Sequence, residues 1–317
     1  MTEITTWRWP GFILFILFFL ALDLGVFNRR PRVIKLGEAI AWSTGWFVLA
    51  MLFAVGLAFY HSRPEALQFT TGYVIELSLS LDNILVMAIL FAYFRVPAEL
   101  QHRLLFWGIL GVLVIRGTMI AMGAVLIEYY DWILYVFGAF LVLAGFKMLL
   151  SNKPMEPERN PVLRLVRRFF SVSENFDGRK FLTRIDGRLF LTPLALALLL
   201  IETTDVLFAV DSVPAVFSVT QDPFIVFTSN VFAILGLRSM YFVLAGAIRY
   251  FRYLNIGLAA VLVFIGVKML IDPHHHEPKW FQVELPTNVS LEVVAAILLI
   301  SIALSVTAAQ REKKNAP

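Results

Sequence analysis

Five carboxylates, one amide and several hydroxyls lie inside apolar runs long enough to cross a bilayer. One group occurs in YVIELSLSLDNILVM, residues 73–87, and the other in IETTDVLFAVDSVPA, residues 201–215. Carboxylate, amide and hydroxyl oxygens are the ligands that hard divalent cations prefer, and ionisable groups inside a membrane mark ion and proton pathways. The candidate cation ligands are Glu76, Asp82, Asn83, Glu202, Asp205, Asp211 and Ser212.

The composition places these residues in a membrane. The chain has 317 residues, of which 59% are hydrophobic and 16% are charged, and its mean hydropathy is +0.77. Soluble domains are more charged and less apolar. We therefore expect an all-α polytopic membrane protein with about nine transmembrane helices. The predicted spans are 9–28, 38–60, 69–94, 104–126, 130–151, 191–217, 224–248, 251–272 and 289–309.

The basic residues predict the orientation of the chain. If the N-terminus lies outside, the predicted cytoplasmic segments and C-terminus hold twenty Lys and Arg residues, and the outside segments hold three. This is the positive-inside pattern. It also accounts for the pI of about 9.3, so we expect the lipid bilayer, and no nucleic acid, as a partner.

The residue types limit the chemistry. There is no Cys, which excludes disulfides, zinc–thiolate sites and thiol catalysis. The spans contain no obvious His, which disfavours Zn²⁺ and Cu⁺. Mn²⁺, Mg²⁺ and Ca²⁺ all remain as candidate cations, carried as substrate with no permanently bound cofactor. Several carboxylates favour a divalent ion over Na⁺ and let protons compete for the same oxygens, so we expect proton antiport.

Three features recur in the same order and predict an internal repeat. GAFLVLAGFKMLL at 138–150 matches AAVLVFIGVKMLI at 259–271, and Arg116 matches Arg238. Glu76-x5-Asp82-Asn83 matches Asp205-x5-Asp211-Ser212. Each unit has an acidic span, a span with Arg and a span with Lys; an odd number of spans inverts the second unit, as in secondary transporters. The predicted divisions are 1–68 with two spans, 69–151 as the first repeat, 152–190 as a basic cytoplasmic linker, 191–272 as the second repeat, and 273–317 as an outside loop, a last span and a cytoplasmic tail.

Four basic residues accompany the acids: Arg116, Arg238, Lys147 and Lys268. Each ionised acid at a helix centre costs about 2.5–3.5 kcal/mol on insertion scales, so partners, water, a cation or protonation must compensate. The arginines either pair with acids to fix helix packing or support the cation site. The lysines lie near span ends, where we expect them to extend towards the lipid–water interface.

Helical geometry separates the two acids of each unit. At about 100° per residue, Glu76, Ser80 and Asn83 share a stripe, and Asp82 lies about 120° from Glu76. A straight helix cannot direct both carboxylates to one point. We therefore expect each acidic helix to be unwound there, with Pro214 favouring the break, so that the two broken segments form an oxygen cage at the bilayer centre.

Three further segments carry weaker signals. PVLRLVRRFF at 161–170 predicts either a basic amphipathic helix on anionic lipid or a solvated linker. The run 274–276 of three His residues either collects metal at the outside mouth or is an ordinary loop. Asp23 is either a ligand near the cytoplasmic end of its span or an interfacial residue.

The motifs ELSLSLDN at 76–83 and IETTDVLFAVDSVPA at 201–215, with the paired FKMLL and VKMLI endings and the span layout, resemble the TerC family of integral membrane proteins over nearly the whole chain. That resemblance implies the bacterial inner (plasma) membrane. It also implies Mn²⁺ efflux by an exporter built from inverted three-helix repeats, with the five acids as metal and proton residues.

The leading hypothesis is thus a secondary transporter, and not an enzyme, that exports Mn²⁺ by proton antiport. A Ca²⁺/H⁺ antiporter and a membrane stress-resistance or assembly protein without transport, of the tellurium-resistance type, stay open. A Schiff-base photoreceptor fits poorly, because two repeat-related lysines do not suit one chromophore. An intramembrane aspartyl protease fits poorly too, because its GxGD pattern is missing.

Overall fold

The computed structural model describes residues 3–22, 35–130, 132–150, 161–245, 253–272, 282–283 and 285–315. Ten helices and one β-hairpin make up this part of the chain. The elements are α1 (Glu3–Leu22), α2 (Leu36–Tyr60), α3 (Arg63–Tyr93), α4 (Ala98–Tyr129), α5 (Ile133–Leu150), α6 (Pro161–Phe169), β1 (Leu182–Ile185), β2 (Arg188–Leu191), α7 (Pro193–Phe217), α8 (Pro223–Ala245), α9 (Leu254–Ile271) and α10 (Thr287–Asn315).

The predicted all-α polytopic fold is confirmed. Eight of the described helices, α2 to α5 and α7 to α10, are long and apolar enough to cross a membrane. The first predicted span corresponds to α1, whose apolar part, Trp7–Phe19, is shorter. Asp23, the His run 274–276 and the end of the predicted span 224–248 lie outside the described residues.

Both acidic helices begin with a capped turn followed by proline. The Ser62 hydroxyl accepts from the Glu65 N–H at 3.2 Å, and the Thr192 hydroxyl accepts from the Ala195 N–H at 3.4 Å. Each cap satisfies one of the N–H groups that the first helical turn leaves without a partner. As a result α3 begins at Arg63, six residues before the predicted span 69–94.

The helices pack in reciprocal pairs. α3 contacts α8 and α4 contacts α7, while α3 meets α7, α4 meets α8 and α5 meets α9. Two units related by a two-fold axis would give this pattern, with α3 to α5 matched to α7 to α9. The division of the chain into inverted repeats stays a prediction, which this packing supports.

Small residues let α5 and α9 approach to backbone contact. A Cβ placed on Gly138 would lie 2.9 Å from the carbonyl oxygen of Gly266, and one on Gly145 would lie 2.8 Å from that of Ala259. In the aligned sequences Gly138 corresponds to Ala259, and Gly145 to Gly266. The Gly138–Gly266 and Gly145–Ala259 contacts therefore join equivalent positions of the two helices. Close approach at small residues is how membrane helices associate without a hydrophobic driving force.

The expected break in the acidic helices is wrong. α3 and α7 are continuous through their acidic residues. Pro214 lacks the N–H that would bond the Val210 carbonyl oxygen, but α7 continues past it to Phe217, so the proline removes one hydrogen bond without breaking the helix. The carbonyl groups around Asp205 stay within the helix, and only the Val210 carbonyl beside Asp211 loses its helical N–H donor.

The segment before α7 contains more structure than a linker. Pro161–Phe169 forms the helix α6, with Leu163 buried and Arg164, Arg167 and Arg168 exposed, and its contact with lipid stays a prediction. A two-stranded antiparallel hairpin follows, with Leu182 opposite Leu191. Its turn uses Asp186 and Gly187, both at positive φ, as a two-residue hairpin requires. This Asp-Gly pair is a sequence signal that the linker interpretation overlooked.

The α5–α9 contact predicts that a methyl group added at Gly266 lowers the stability of the protein, whereas one added at Gly236 does not. Gly266→Ala places a Cβ 2.7 Å from the Gly138 carbonyl oxygen and 2.8 Å from Val142, so the helices must separate. We expect a loss of about 1–3 kcal/mol in stability, seen as a lower unfolding temperature in detergent. The matched control is Gly236→Ala, whose Cβ would lie 3.8 Å from Trp46. Equal melting of the two variants would contradict this packing.

Candidate cation site

The centre of the molecule is a buried polar layer where α3, α4, α7 and α8 meet. Glu76 on α3 is fully buried, and Asp205 on α7 is 2% exposed. These two residues are the ones that the repeat alignment matched. They come from different helices and approach one another because α3 packs against α7.

Arg116 on α4 joins the two carboxylates. Its Nη1 donates to Glu76 Oε1, while its Nη2 and Nε donate to the two oxygens of Asp205 at 3.3 and 3.4 Å. Nη1 also donates to Ser212 Oγ at 2.9 Å and to Asn230 Oδ1 at 3.1 Å. A planar guanidinium presents donors in two directions at once. Two carboxylates and one guanidinium leave this group with one net negative charge.

Part of the layer's hydrogen-bonding capacity is unused. Glu76 Oε2 and both amide atoms of Asn83 are buried and have no hydrogen-bond partner among the described residues. Asn83 lines a cavity of about 10 Å³ together with Thr204 and Asp205, which is about the least that admits one water molecule. The predicted stripe is confirmed, since Ser80 Oγ donates to Glu76 Oε1 at 3.3 Å. Buried polar groups without partners are uncommon and call for a functional reason.

The other two matched acids form a separate pair. Asp82 and Asp211 are half-buried and interact electrostatically with each other, and Asp211 also interacts with Lys147. Lys147 is exposed in the last turn of α5, where we predicted it. Asp82 and Asp211 therefore face a more open part of the structure than Glu76 and Asp205 do.

Glu202 occupies a third location, against α4. Its carboxylate rests on Gly111, where any Cβ would overlap it. Glu202 Oε2 is buried without a hydrogen-bond partner among the described residues. Asp205, one turn further along α7, is close enough to repel it. Gly111 makes room for this carboxylate, a role that sequence reasoning missed.

The two remaining predicted bases are Lys268 and Arg238. Lys268 is buried, donates to the Ser218 carbonyl oxygen at 3.1 Å and pairs with Asp272 at 3.6 Å, two residues at helix ends. The end of α7 covers it, because α9 packs against that helix. Arg238 is half-buried on α8.

The structure thus places the predicted residues in three neighbouring locations. Within the described residues, no three His, Cys, Asp or Glu side chains form a cluster arranged to hold a metal ion. The expected oxygen cage between two broken helices is not formed here, because α3 and α7 are unbroken and Arg116 lies between Glu76 and Asp205. Their role as cation ligands stays a prediction. Asn230 was missed, although the polar run Thr228, Ser229 and Asn230 inside α8 was a visible signal.

Outside the spans, one carboxylate of the hairpin segment is held ionised. The Thr183 hydroxyl donates to Asp177 Oδ2 at 2.7 Å and Lys180 donates to it at 3.0 Å. These hydrogen bonds, chiefly that from Thr183, lower the pKa of Asp177 below its ordinary value. A lowered folded-state pKa means that this contribution to stability is present above the unfolded pKa and is lost as the pH falls.

The Arg116 network predicts a charge-dependent change in stability. Arg116→Gln leaves two buried carboxylates unpaired and should destabilise the metal-free protein by about 3–5 kcal/mol. Adding Glu76→Gln and Asp205→Asn removes the unpaired charges, so the triple variant should recover most of the loss. Unfolding temperatures in detergent with a chelator measure both effects, and Arg103→Gln on the same helix is the control. Equal instability of the single and triple variants would show that lost packing dominates.

Comparison with known proteins agrees with the fold and the motifs. Residues 61–314 match the family described as "Integral membrane protein TerC family". An "Uncharacterized membrane protein STKORF319" of Myxococcus xanthus is 50% identical over 298 residues, covering 94% of this chain and 91% of that protein. Proteins named "Putative membrane-bound redox modulator Alx" from Shigella flexneri and Escherichia coli K12 are 44% identical over 317 residues, covering 97% of this chain and 97% and 96% of those proteins. No solved structure matches. The chain belongs to the TerC family of integral membrane proteins.

Proposed function

We propose that the chain exports a hard divalent cation, Mn²⁺ in the first instance, from the cytoplasm in exchange for protons. The observation that carries the proposal is the buried layer in which Glu76 and Asp205, from two crossing helices, meet with one net negative charge and with unused oxygens beside them. A structural ion pair needs one carboxylate for each base. The excess of carboxylates over bases favours a binding role.

The donor set supports a hard cation. The layer offers carboxylates of Glu76 and Asp205, amides of Asn83 and Asn230, and the hydroxyl of Ser212. These are all oxygen ligands of the kind that Mg²⁺, Ca²⁺ and Mn²⁺ take in proteins. Mn²⁺ is chosen among these three because of the family to which the chain belongs.

The same carboxylates supply the proton coupling. A buried carboxylate must be compensated by a base, a cation or a proton, so each site that loses Mn²⁺ tends to gain protons. Export of a cation also works against the membrane potential, at about 2.3 kcal/mol per charge for each 100 mV. In this scheme Asp82 and Asp211, which are less buried, receive the cation, and Glu202 carries a proton beside Asp205.

The name of the Alx relatives raises a redox role. This chain has no Cys, so it has no thiol with which to exchange disulfides itself. Control of cellular manganese would connect the two descriptions, because Mn²⁺ is redox-active. A non-transport stress role and Ca²⁺/H⁺ antiport are the alternatives that the following experiments separate.

Neutralising the half-buried pair should abolish export without affecting insertion. We expect a bacterial strain that lacks its own exporters, loaded with Mn²⁺, to hold less total manganese when it carries the wild-type chain. Asp82→Asn and Asp211→Asn should restore the level of the empty vector at matched membrane expression. Glu128→Gln, an exposed carboxylate at the end of α4, is the control and should export normally. Equal manganese in every strain would remove Mn²⁺ efflux and bring Ca²⁺ transport or a non-transport role forward.

Proton coupling makes a separate prediction. In proteoliposomes without other transporters, Mn²⁺ entering the vesicle should drive protons out, recorded as alkalinisation by a trapped pH dye. An imposed proton gradient should accelerate Mn²⁺ movement in the direction opposite to the proton flow. The signal should vanish in Asp211→Asn. Mn²⁺ movement with no change in internal pH would contradict antiport while leaving transport intact.

A further inference from the structure

The position of Arg116 has a meaning beyond helix packing. We propose that Arg116 is a tethered counter-cation: its guanidinium occupies the place that the transported divalent cation takes, and the two compete for Glu76 and Asp205. This inference rests on the proposed function, because it assigns a role within the same site. It makes Arg116 a residue that lowers cation affinity so that the cation is released.

The atoms around the Arg116 guanidinium are of the kind that bind a hard metal ion. All the acceptors that converge on it are oxygens: one of Glu76, both of Asp205, the hydroxyl of Ser212 and the amide oxygen of Asn230. Five oxygens from three helices are most of the shell that a hard divalent cation requires, which is six for Mg²⁺ and six to eight for Ca²⁺. The arginine therefore sits inside a ligand set of the right kind for a metal.

Further polar atoms beside the guanidinium are without hydrogen-bond partners among the described residues. Glu76 Oε2 faces no hydrogen-bond donor among the described residues. The amide of Asn83, 3% exposed, has no partner there either, and it borders Asp205 across the small cavity. The guanidinium does not use these groups, and a smaller ion placed between the carboxylates has two more oxygens available.

Charge makes the two occupants exclusive. Arginine stays protonated in proteins, so the guanidinium cannot become neutral when a cation arrives and must leave the carboxylates. With arginine in place, two carboxylates carry one net negative charge. With a divalent ion in place of arginine, the same carboxylates are neutralised. The return of Arg116 would therefore expel the cation from an otherwise well-matched site.

The decisive measurement compares affinity with turnover. Purified full-length wild type, Arg116→Gln and Arg103→Gln are titrated with Mn²⁺ in detergent, and their Mn²⁺ transport is followed in proteoliposomes. Removing the competitor should tighten the Mn²⁺ Kd of Arg116→Gln by about 10-fold or more, within the usual range of site coupling, while turnover falls. Arg103, which lies on α4 over the Phe181 ring at 5.4 Å, should behave as wild type in both assays. An Arg116→Gln affinity equal to or weaker than that of wild type would overturn the proposal.

Two further readouts guard against a merely unstable variant. If Arg116→Gln unfolds easily without metal, its unfolding temperature should rise with added Mn²⁺ more steeply than that of wild type, because tighter binding to the folded state stabilises it more. An equal or smaller rise contradicts the proposal. In Arg116→Ala, added methylguanidinium should weaken Mn²⁺ binding by filling the vacated space, with no effect on wild type. Absence of that competition also contradicts the proposal.

The outcomes separate this inference from the proposed function. Wild type that binds and transports Mn²⁺ alongside an Arg116→Gln variant with unchanged affinity removes only the counter-cation role. Wild type that neither binds nor transports Mn²⁺ removes the proposed function and this inference together. Tighter binding with slower transport in the variant supports both.

Discussion

The bridge from Arg116 to Glu76 and Asp205 is the interaction on which the rest of the structure depends. Ionised carboxylates in the apolar part of a membrane are costly, and a guanidinium shared between two helices offsets that cost for both at once. Because the bridge joins α3, α4 and α7, it also fixes where these helices cross. The remaining acids, Asp82, Asp211 and Glu202, are placed by that crossing.

Packing and charge act together in this arrangement. The third helices of the two units, α5 and α9, meet through glycine and alanine at backbone distance, which needs no polar groups. The first and second helices meet through the polar layer instead. The molecule thus has an apolar contact between the third helices and a charged contact between the first two of each unit, and only the charged one is suited to respond to an ion.

The sequence was enough to predict the spans, the polar stripe of Glu76 and Ser80, and the correspondence of Glu76 with Asp205 and of Asp82 with Asp211 in the two units. These features follow from periodicity and from matched spacing, which are local. Which base meets which acid was not predictable, because Arg116 lies 40 residues from Glu76 and 89 from Asp205, and only tertiary packing brings them together. The break expected at Pro214 was wrong, because α7 continues through the proline to Phe217. The Gly111 space for Glu202 likewise exists only once α4 and α7 are packed.

The hairpin before α7 has a mechanical consequence. Thr192, the residue that caps α7, donates through its hydroxyl to the Lys180 carbonyl oxygen at 2.9 Å and through its N–H to that of Phe181 at 3.0 Å. The start of the helix that bears Asp205 is thereby tied to an ordered element outside the candidate membrane spans. Because of these hydrogen bonds, a tilt or slide of α7 also displaces the hairpin. A probe attached there reports the motion of the buried carboxylate, and a binder that immobilises it would hold α7 still.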